Sequence, residues 1–224
     1  MATQKHGPFQ LVAGNVVLDF INTLDNRFVP IGPEGEGGPQ ELLGTFEDLM
    51  RFMVQSGVLS SEEAGRLERR RTRAERNTLL KAAHYVRESL AAALYKIVDQ
   101  RGGPVSEGAA GPDPTQVEAL NVIMRSTFSF RDLQWVGEGS DGKMEWVWTG
   151  AEMELPIFRL VTAASELLTS NVLRLLKSCE SPTCRWLFLA TNRNKVRRWC
   201  DMQICGNRMK NRRSYSRTRK AAAS

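Results

Sequence analysis

The sequence predicts a mainly helical α+β protein, in which an N-terminal domain over residues 1–177 precedes a small cysteine-based domain over residues 178–224. Three observations predict this architecture. Apolar residues recur at helical spacing through most of the first domain. Alternating residues on both sides of a glycine-containing turn, near residues 128–148, are typical of one β-hairpin. All four cysteines of the chain lie after residue 178.

The first predicted element is a largely apolar helix over about residues 11–28, which we expect to be buried. It carries a polar row in which Asp19, Asn22 and Arg27 suggest a binding pocket for a small polar effector. The alternative is that these side chains satisfy backbone groups in the core, because buried polar groups are normally paired locally. A loop rich in glycine and proline follows over residues 30–39.

Capping signals mark the starts of the next two helices. Thr45 with Asp48, and Ser60 with Glu63, have the spacing at which a side chain caps the first turn of a helix. The elements predicted after these are a long helix over about residues 77–100, a short helix from Thr115 to about Arg125, the hairpin, and a helix from near Pro156 to about Lys177.

Charge is divided unevenly along the chain. The net charge is +6, yet the segment from Arg185 onward holds twelve Lys and Arg against one acid, Asp201. The rest of the chain therefore carries 19 basic and 24 acidic residues. Basic charge concentrated at one end points to a polyanion as the partner of that end.

Cys179, Cys184, Cys200 and Cys205 form two pairs that each enclose four residues. Zn²⁺ favours a tetrahedron of soft ligands, which four thiolates supply. The N-terminus lacks the apolar core of a signal peptide, so we expect a cytoplasmic protein without a membrane partner, in which disulfides are disfavoured. An iron–sulfur cluster uses the same ligands and stays open as an alternative. We expect a Cys₄ zinc site.

A cationic surface surrounds these cysteines and favours nucleic acid, with DNA as the leading partner. The aromatic side chains Trp186, Phe188 and Trp199 are expected to pack over the metal loops and not to stack on bases. Docking on RNA, RNA polymerase or another acidic partner is the alternative. The side chains expected to contact nucleic acid are Arg193, Lys195, Arg197, Arg198, Arg208, Lys210, Arg212 and Arg213.

No arrangement of residues typical of catalysis stands out. The sequence shows no Ser/His/Asp set, phosphate-binding loop or paired catalytic carboxylates. A Cys₄ site also has no open coordination position at which a substrate could bind. We therefore do not expect an enzyme.

The cysteine-containing stretch resembles the CGNR zinc finger, a family named for the tetrapeptide present here as Cys205-Gly206-Asn207-Arg208. The segment Leu18-Asp19-Phe20-Ile21-Asn22-Thr23-Leu24 resembles the start of the ABATE domain, which usually precedes that finger. The resemblance covers nearly the whole chain. It implies a bacterial, stress-induced transcriptional regulator whose finger binds zinc and DNA. The N-terminal domain would sense a small molecule or mediate oligomerisation, with a homodimer among the expected assemblies.

Overall fold

The computed structural model describes residues 7–102, 111–149, 152, 154–192 and 196–212. The chain forms two compact units, which we name by their make-up. The composite unit joins residues 1–44 to residues 170–224, and the helical unit comprises residues 45–169. In the part of the chain that is described, no helix combines the length and the apolar character needed to cross a bilayer.

The predicted mainly helical fold with a β-hairpin and a cysteine-based C-terminal part is confirmed. The helices are α1 (Val16–Ile21), α2 (Phe46–Gln55), α3 (Ser61–Arg70), α4 (Arg73–Gly102), α5 (Pro114–Phe128) and α6 (Leu155–Thr169). The strands form three antiparallel pairs: β1 (Leu24–Asp25) with β2 (Gln40–Glu41), β3 (Arg131–Val136) with β4 (Lys143–Trp148), and β5 (Leu176–Ser178) with β6 (Leu187–Leu189).

Both predicted capping boxes open helices of the helical unit. The Thr45 side chain accepts a hydrogen bond from the backbone N–H of Asp48, whose carboxylate accepts one from the backbone N–H of Thr45. Ser60 and Glu63 make the same reciprocal pair at the start of α3. α4 begins earlier than predicted because the Glu75 carboxylate accepts a hydrogen bond from the Thr72 backbone N–H, at 2.7 Å, and thereby satisfies one donor of the first turn.

An ion pair ties α3 to α6. The Arg159 guanidinium donates from Nη1 and Nη2 to the two carboxylate oxygens of Glu63, at 3.0 and 2.7 Å. The hydrogen bond from Arg159 is the largest cause that lowers the pKa of Glu63 to about 2. The same Arg159 Nη1 donates to the Val58 carbonyl oxygen at 2.7 Å. Arg159 therefore holds α3 through the bidentate pair with Glu63, and it holds the loop before α3 through the Val58 carbonyl oxygen.

The first predicted helix is much shorter than expected. Asn15 caps the start of α1 by accepting from the backbone N–H of Val17. Before it, Gly14 has a φ of +77°, which no helix allows. The backbone of Ala13 instead meets β6, since its carbonyl oxygen accepts from the Leu189 N–H at 2.8 Å. The prediction of a helix from residue 11 was wrong because this segment is held by a distant strand.

The last predicted helix also ends early. α6 stops at Thr169, and a 3₁₀ turn over Asn171–Leu175 leads directly into β5. The prediction that helix would reach Lys177 was wrong, because residues 176–178 pair with β6 across the first cysteine loop. The apolar residues at the end of this segment belong to a strand and not to one face of a helix.

Candidate metal centre

The first pair of cysteines lies in the loop that joins β5 to β6. The backbone N–H of Cys179 donates to the Trp186 carbonyl oxygen at 2.8 Å, and that of Cys184 donates to the Ser181 carbonyl oxygen at 3.0 Å. Arg185, directly after the second cysteine, has a φ of +55°, the left-handed conformation that turns the chain back into β6. These bonds hold both sulfur atoms on the inner side of the loop.

The second pair is placed by a tight turn over Met202–Gly206 of π-helical form. Asp201 caps this turn, since its Oδ1 accepts from the backbone N–H groups of Gln203 and Ile204 at 2.6 and 2.9 Å. Gly206 is required for space, because a Cβ there would lie 2.6 Å from Cδ1 of the Trp199 ring.

The four sulfur atoms converge on one point inside the composite unit. All lie within 4.8 Å of one another, and all four cysteines are buried. The Sγ of Cys200 is 3.5 Å from that of Cys184 and 3.6 Å from that of Cys205. Four thiolates around Zn²⁺, with Zn–S bonds of about 2.3 Å, would be separated by about 3.8 Å. The donor set and its spacing therefore fit a four-coordinate metal ion.

Because the four thiols lie this close together, each one shifts the pKa of its neighbours. Hydrogen bonds from neighbouring thiols, with that from Cys184 as the largest cause, lower the pKa of the Cys179 thiol. The hydrogen bond to Cys179 is in turn the largest cause that raises the pKa of Cys200. A divalent cation removes this conflict, since thiols that bind a metal lose their protons. A divalent cation bound by all four sulfur atoms would therefore stabilise this arrangement.

The polar row lies in and just after α1, and its Asn22 contacts the hairpin of β5 and β6, which we call the metal hairpin because Cys179 and Cys184 lie in its loop. The Asn22 amide donates to the Leu187 carbonyl oxygen and accepts from the Leu187 N–H, both at 2.9 Å, and only 3% of Asn22 is exposed. Nearby, the indole Nε1 of Trp186 donates to Oδ1 of Asp25 at 2.8 Å. α1 and the strand after it therefore support the hairpin that carries Cys179 and Cys184.

The other two members of the polar row also bond to backbone groups. Oδ1 of Asp19 accepts from the Ala13 N–H at 2.9 Å, and Nη2 of Arg27 donates to the Ile21 carbonyl oxygen at 3.3 Å. These contacts are those of the alternative interpretation, in which the row satisfies the core. Binding of an effector by Asp19, Asn22 and Arg27 stays a prediction.

Asp19 supplies a prediction of pH dependence. Desolvation raises its pKa to about 7, against hydrogen bonds from Ala13 and Val12 and the charge of Arg197, which lower it. Between about pH 4 and 7 the folded protein therefore holds a proton that the unfolded chain releases, and stability falls as the pH rises. We expect Asp19→Asn to remove a decline on the order of 2–4 kcal/mol over this range. Urea unfolding of both proteins from pH 5 to 8 measures it.

The Asn side chain keeps the acceptor for the Ala13 N–H, and every other titratable group of the chain is present in both proteins. The difference between the two free energies of unfolding therefore isolates the Asp19 carboxyl. Parallel pH profiles for the wild type and the variant would contradict this prediction.

Two of the predicted nucleic-acid contacts are engaged within the composite unit. Arg197 donates from Nη2 to the Val12 carbonyl oxygen at 2.8 Å, and its guanidinium lies 4.5 Å from the Phe188 ring centroid. Arg198 makes a bidentate pair with Glu180, whose hydrogen bond is the largest cause that raises the pKa of Arg198. Sequence reasoning missed both partners: Val12 lies 185 positions from Arg197, and Glu180 lies 18 positions from Arg198, in the first cysteine loop.

The remaining predicted contacts differ in how far the structure places them. Arg208 is exposed, with its Nη1 3.5 Å from the Thr183 hydroxyl. Lys210 and Arg212 are exposed on a helical segment over residues 207–212, directly after the last cysteine. Contact of any of these residues with nucleic acid stays a prediction, and three members of the set lie outside the described residues: Arg193, Lys195 and Arg213.

The aromatic residues of the finger are buried, as expected. Trp186, Phe188 and Trp199 each have less than a tenth of their surface exposed. An open cavity of about 430 Å³ in the composite unit is lined by Trp186, Arg208 and three of the cysteines.

Two segments of the chain match known protein families. Residues 175–218 match the CGNR zinc finger. Residues 14–171 match ABATE, which is described as "Putative stress-induced transcription regulator". No curated protein matches the chain. The compact units divide the chain differently, since the composite unit takes in residues from both matched segments. The predicted domain boundary between residues 177 and 178 stays a prediction.

Proposed function

The chain belongs to the ABATE family and carries a CGNR zinc finger, and we therefore propose that it is a zinc-containing, DNA-binding transcriptional regulator of the bacterial cytoplasm. The observation that carries the proposal is the cluster of four buried sulfur atoms within 4.8 Å of one another, from which an exposed basic segment continues. The family descriptions name a regulator and a zinc finger and do not describe an enzyme.

Zinc has a structural role in this proposal. Cys179, Cys184, Cys200 and Cys205 would hold it in a closed tetrahedron, and the ion would join the two cysteine loops. Because Cys205 is followed directly by the helical residues 207–212, fixing its sulfur also fixes the start of that basic segment. The metal would thereby present Arg208, Lys210 and Arg212 to a phosphate backbone.

The helical unit would supply regulation. A buried core of large apolar side chains, including Leu49, Phe52 and Leu90, gives it a stable body. The unit is proposed to respond to a small-molecule effector or to bring two copies of the protein together. The acidic excess of residues 1–184 would be repelled by DNA, so the basic end would make the contacts.

DNA binding should depend steeply on salt. We expect the full-length protein to bind a mixed-sequence duplex at low ionic strength and to weaken as KCl rises, because bound cations are released from the phosphates. Replacing Arg208, Lys210 and Arg212 together with alanine should lower the magnitude of the log–log slope by about 2–3, at about 0.9 per lost phosphate contact. Fluorescence anisotropy from 50 to 300 mM KCl measures both proteins.

The matched control is Arg73→Ala with Lys81→Ala, which removes two exposed cations of α4. Its salt slope should equal that of the wild type. Arg197 is unsuitable as a probe because its loss would free the Val12 carbonyl oxygen. Absence of binding at 50 mM KCl by zinc-loaded protein would refute the proposal. A pull-down that retains RNA polymerase after nuclease treatment would then favour a protein partner, and one that recovers RNA only without nuclease would favour RNA.

A further inference from the structure

The hairpin of the helical unit carries apolar side chains on one face that is open to solvent. Its register pairs Leu133 with Trp146 and Trp135 with Met144, so these four side chains project from the same side of the sheet. Their exposed fractions are 49% for Leu133, 55% for Trp135, 54% for Met144 and 56% for Trp146. Four large apolar residues, each about half exposed, form what we call the hairpin face.

Contacts at both ends of the hairpin hold this face in a defined shape. At the base, the rings of Phe130 and Trp148 lie 5.3 and 5.2 Å from that of Phe158 on α6. At the tip, the indole of Trp135 lies so close to Gly142 that a Cβ there would be 2.3 Å from the ring. The apolar side chains are therefore presented by an ordered scaffold and not by a loose loop.

The hairpin lacks the cover that such a sheet needs. An isolated two-stranded sheet is marginally stable in water, and in the described residues β3 and β4 pair only with each other. The four side chains of the hairpin face present on the order of 450 Å² of apolar surface, in the range of patches that mark interaction sites. Burying this surface would stabilise the hairpin as well as any complex.

The chemistry of the face favours a second copy of the chain as its partner. The nearest charge on that side is Arg131, whose guanidinium lies 5.1 and 5.4 Å from the ring centroids of Trp146 and Trp148. On this side of the two strands the one charged side chain, Arg131, lies over the aromatic rings of the face, so no charge pattern there selects an acidic or basic partner. A two-fold dimer places the same apolar face on both partners. Two copies would bury roughly 900 Å² of apolar surface, close to the ~1,000 Å² expected of a specific interface once rim atoms are added.

We propose that the hairpin face, formed by Leu133, Trp135, Met144 and Trp146, is the surface through which two copies of this protein form a two-fold symmetric dimer. The inference rests on the oligomerisation role proposed for the helical unit. It does not depend on DNA binding. In the dimer the two hairpins pack face to face, about 10 Å apart, as stacked sheets do.

Sedimentation equilibrium of the full-length, zinc-loaded protein at 1–100 µM, without DNA, tests the proposal. We expect the wild type to be dimeric at the upper concentrations. Trp146→Glu should be monomeric throughout, with a dimer dissociation constant at least 100-fold higher than that of the wild type. Gln134→Lys is the control, because Gln134 is also exposed, projects from the opposite side of the hairpin and faces Glu145 across the strands, where a Lys is tolerated. It should sediment like the wild type.

A second measurement uses the wild type alone, so its result does not depend on whether a variant folds. Dilution from 50 to 0.1 µM should shift tryptophan emission to longer wavelength as Trp135 and Trp146 become hydrated. A wild type that stays monomeric at 100 µM overturns the proposal, as does a Trp146→Glu protein that stays dimeric. Fluorescence anisotropy of DNA, measured with the same samples, distinguishes the two proposals, because a monomer that binds DNA refutes only the dimer.

Discussion

Cys200→Ser is expected to abolish metal binding and unfold the composite unit while the helical unit stays folded. The Cys200 sulfur lies 3.5 and 3.6 Å from those of Cys184 and Cys205, so its loss opens the centre of the cluster. Metal binding contributes about 10–16 kcal/mol in zinc-finger peptides, which matches or exceeds the ~5–15 kcal/mol stability of a typical domain. Hydrogen exchange should show lost protection over residues 176–190 and retained protection in α4.

Metal analysis of the purified protein completes this test. The wild type should contain one zinc ion per chain, and Cys200→Ser should contain none. Thr183→Ala is the matched control, since it alters an exposed residue of the first cysteine loop without removing a ligand. A full zinc content in Cys200→Ser would contradict the assignment of the ligands. Iron and inorganic sulfide in the wild type would identify an iron–sulfur cluster instead.

Asn22→Ala should cost the composite unit about 3–5 kcal/mol. The substitution leaves the N–H and the carbonyl oxygen of Leu187 buried without their partner, and each such group costs about 1–3 kcal/mol. A small cavity adds to the loss. Because β6 follows the first cysteine loop, we also expect the zinc of the variant to exchange faster with a chelator. Urea unfolding followed by hydrogen exchange over residues 176–190 measures the stability.

The matched control for this prediction is Asn192→Ala. Asn192 is exposed and accepts one long hydrogen bond, 3.4 Å from the Arg197 N–H, so its loss should cost less than about 0.5 kcal/mol. An Asn22→Ala protein as stable as this control would show that the paired hydrogen bonds to Leu187 do not support the metal hairpin.

Local signals in the sequence identified a large part of the structure. The Thr45 and Ser60 caps, the alternation that forms β3 and β4, and the four cysteines each lie within a short window. Such features are decided by neighbours a few positions away, and composition and spacing report them directly. They were sufficient to predict the fold class and the donor set of the metal site.

What the sequence could not predict depends on partners far along the chain. The helix expected from residue 11 is replaced by an extended segment because Ala13 bonds to Leu189. In the sequence the Asn22 amide resembles a ligand-binding group, but in the structure it is hydrogen-bonded to the backbone of Leu187. Arg197 resembles a phosphate contact, yet its guanidinium bonds to the Val12 carbonyl oxygen. Spacing within one segment carries no information about these distant partners.

The pairing of Asn22 with Leu187 also constrains how the protein is made. The two residues are separated by 165 positions, and the ribosome releases the N-terminal one first. While the intervening helices are synthesised, α1 exists without the strand to which Asn22 bonds. Translation must therefore pass β6 and the last cysteine before the composite unit can fold. A prematurely terminated chain keeps the apolar side chains of α1 uncovered, which exposes the incomplete product to chaperones and proteases.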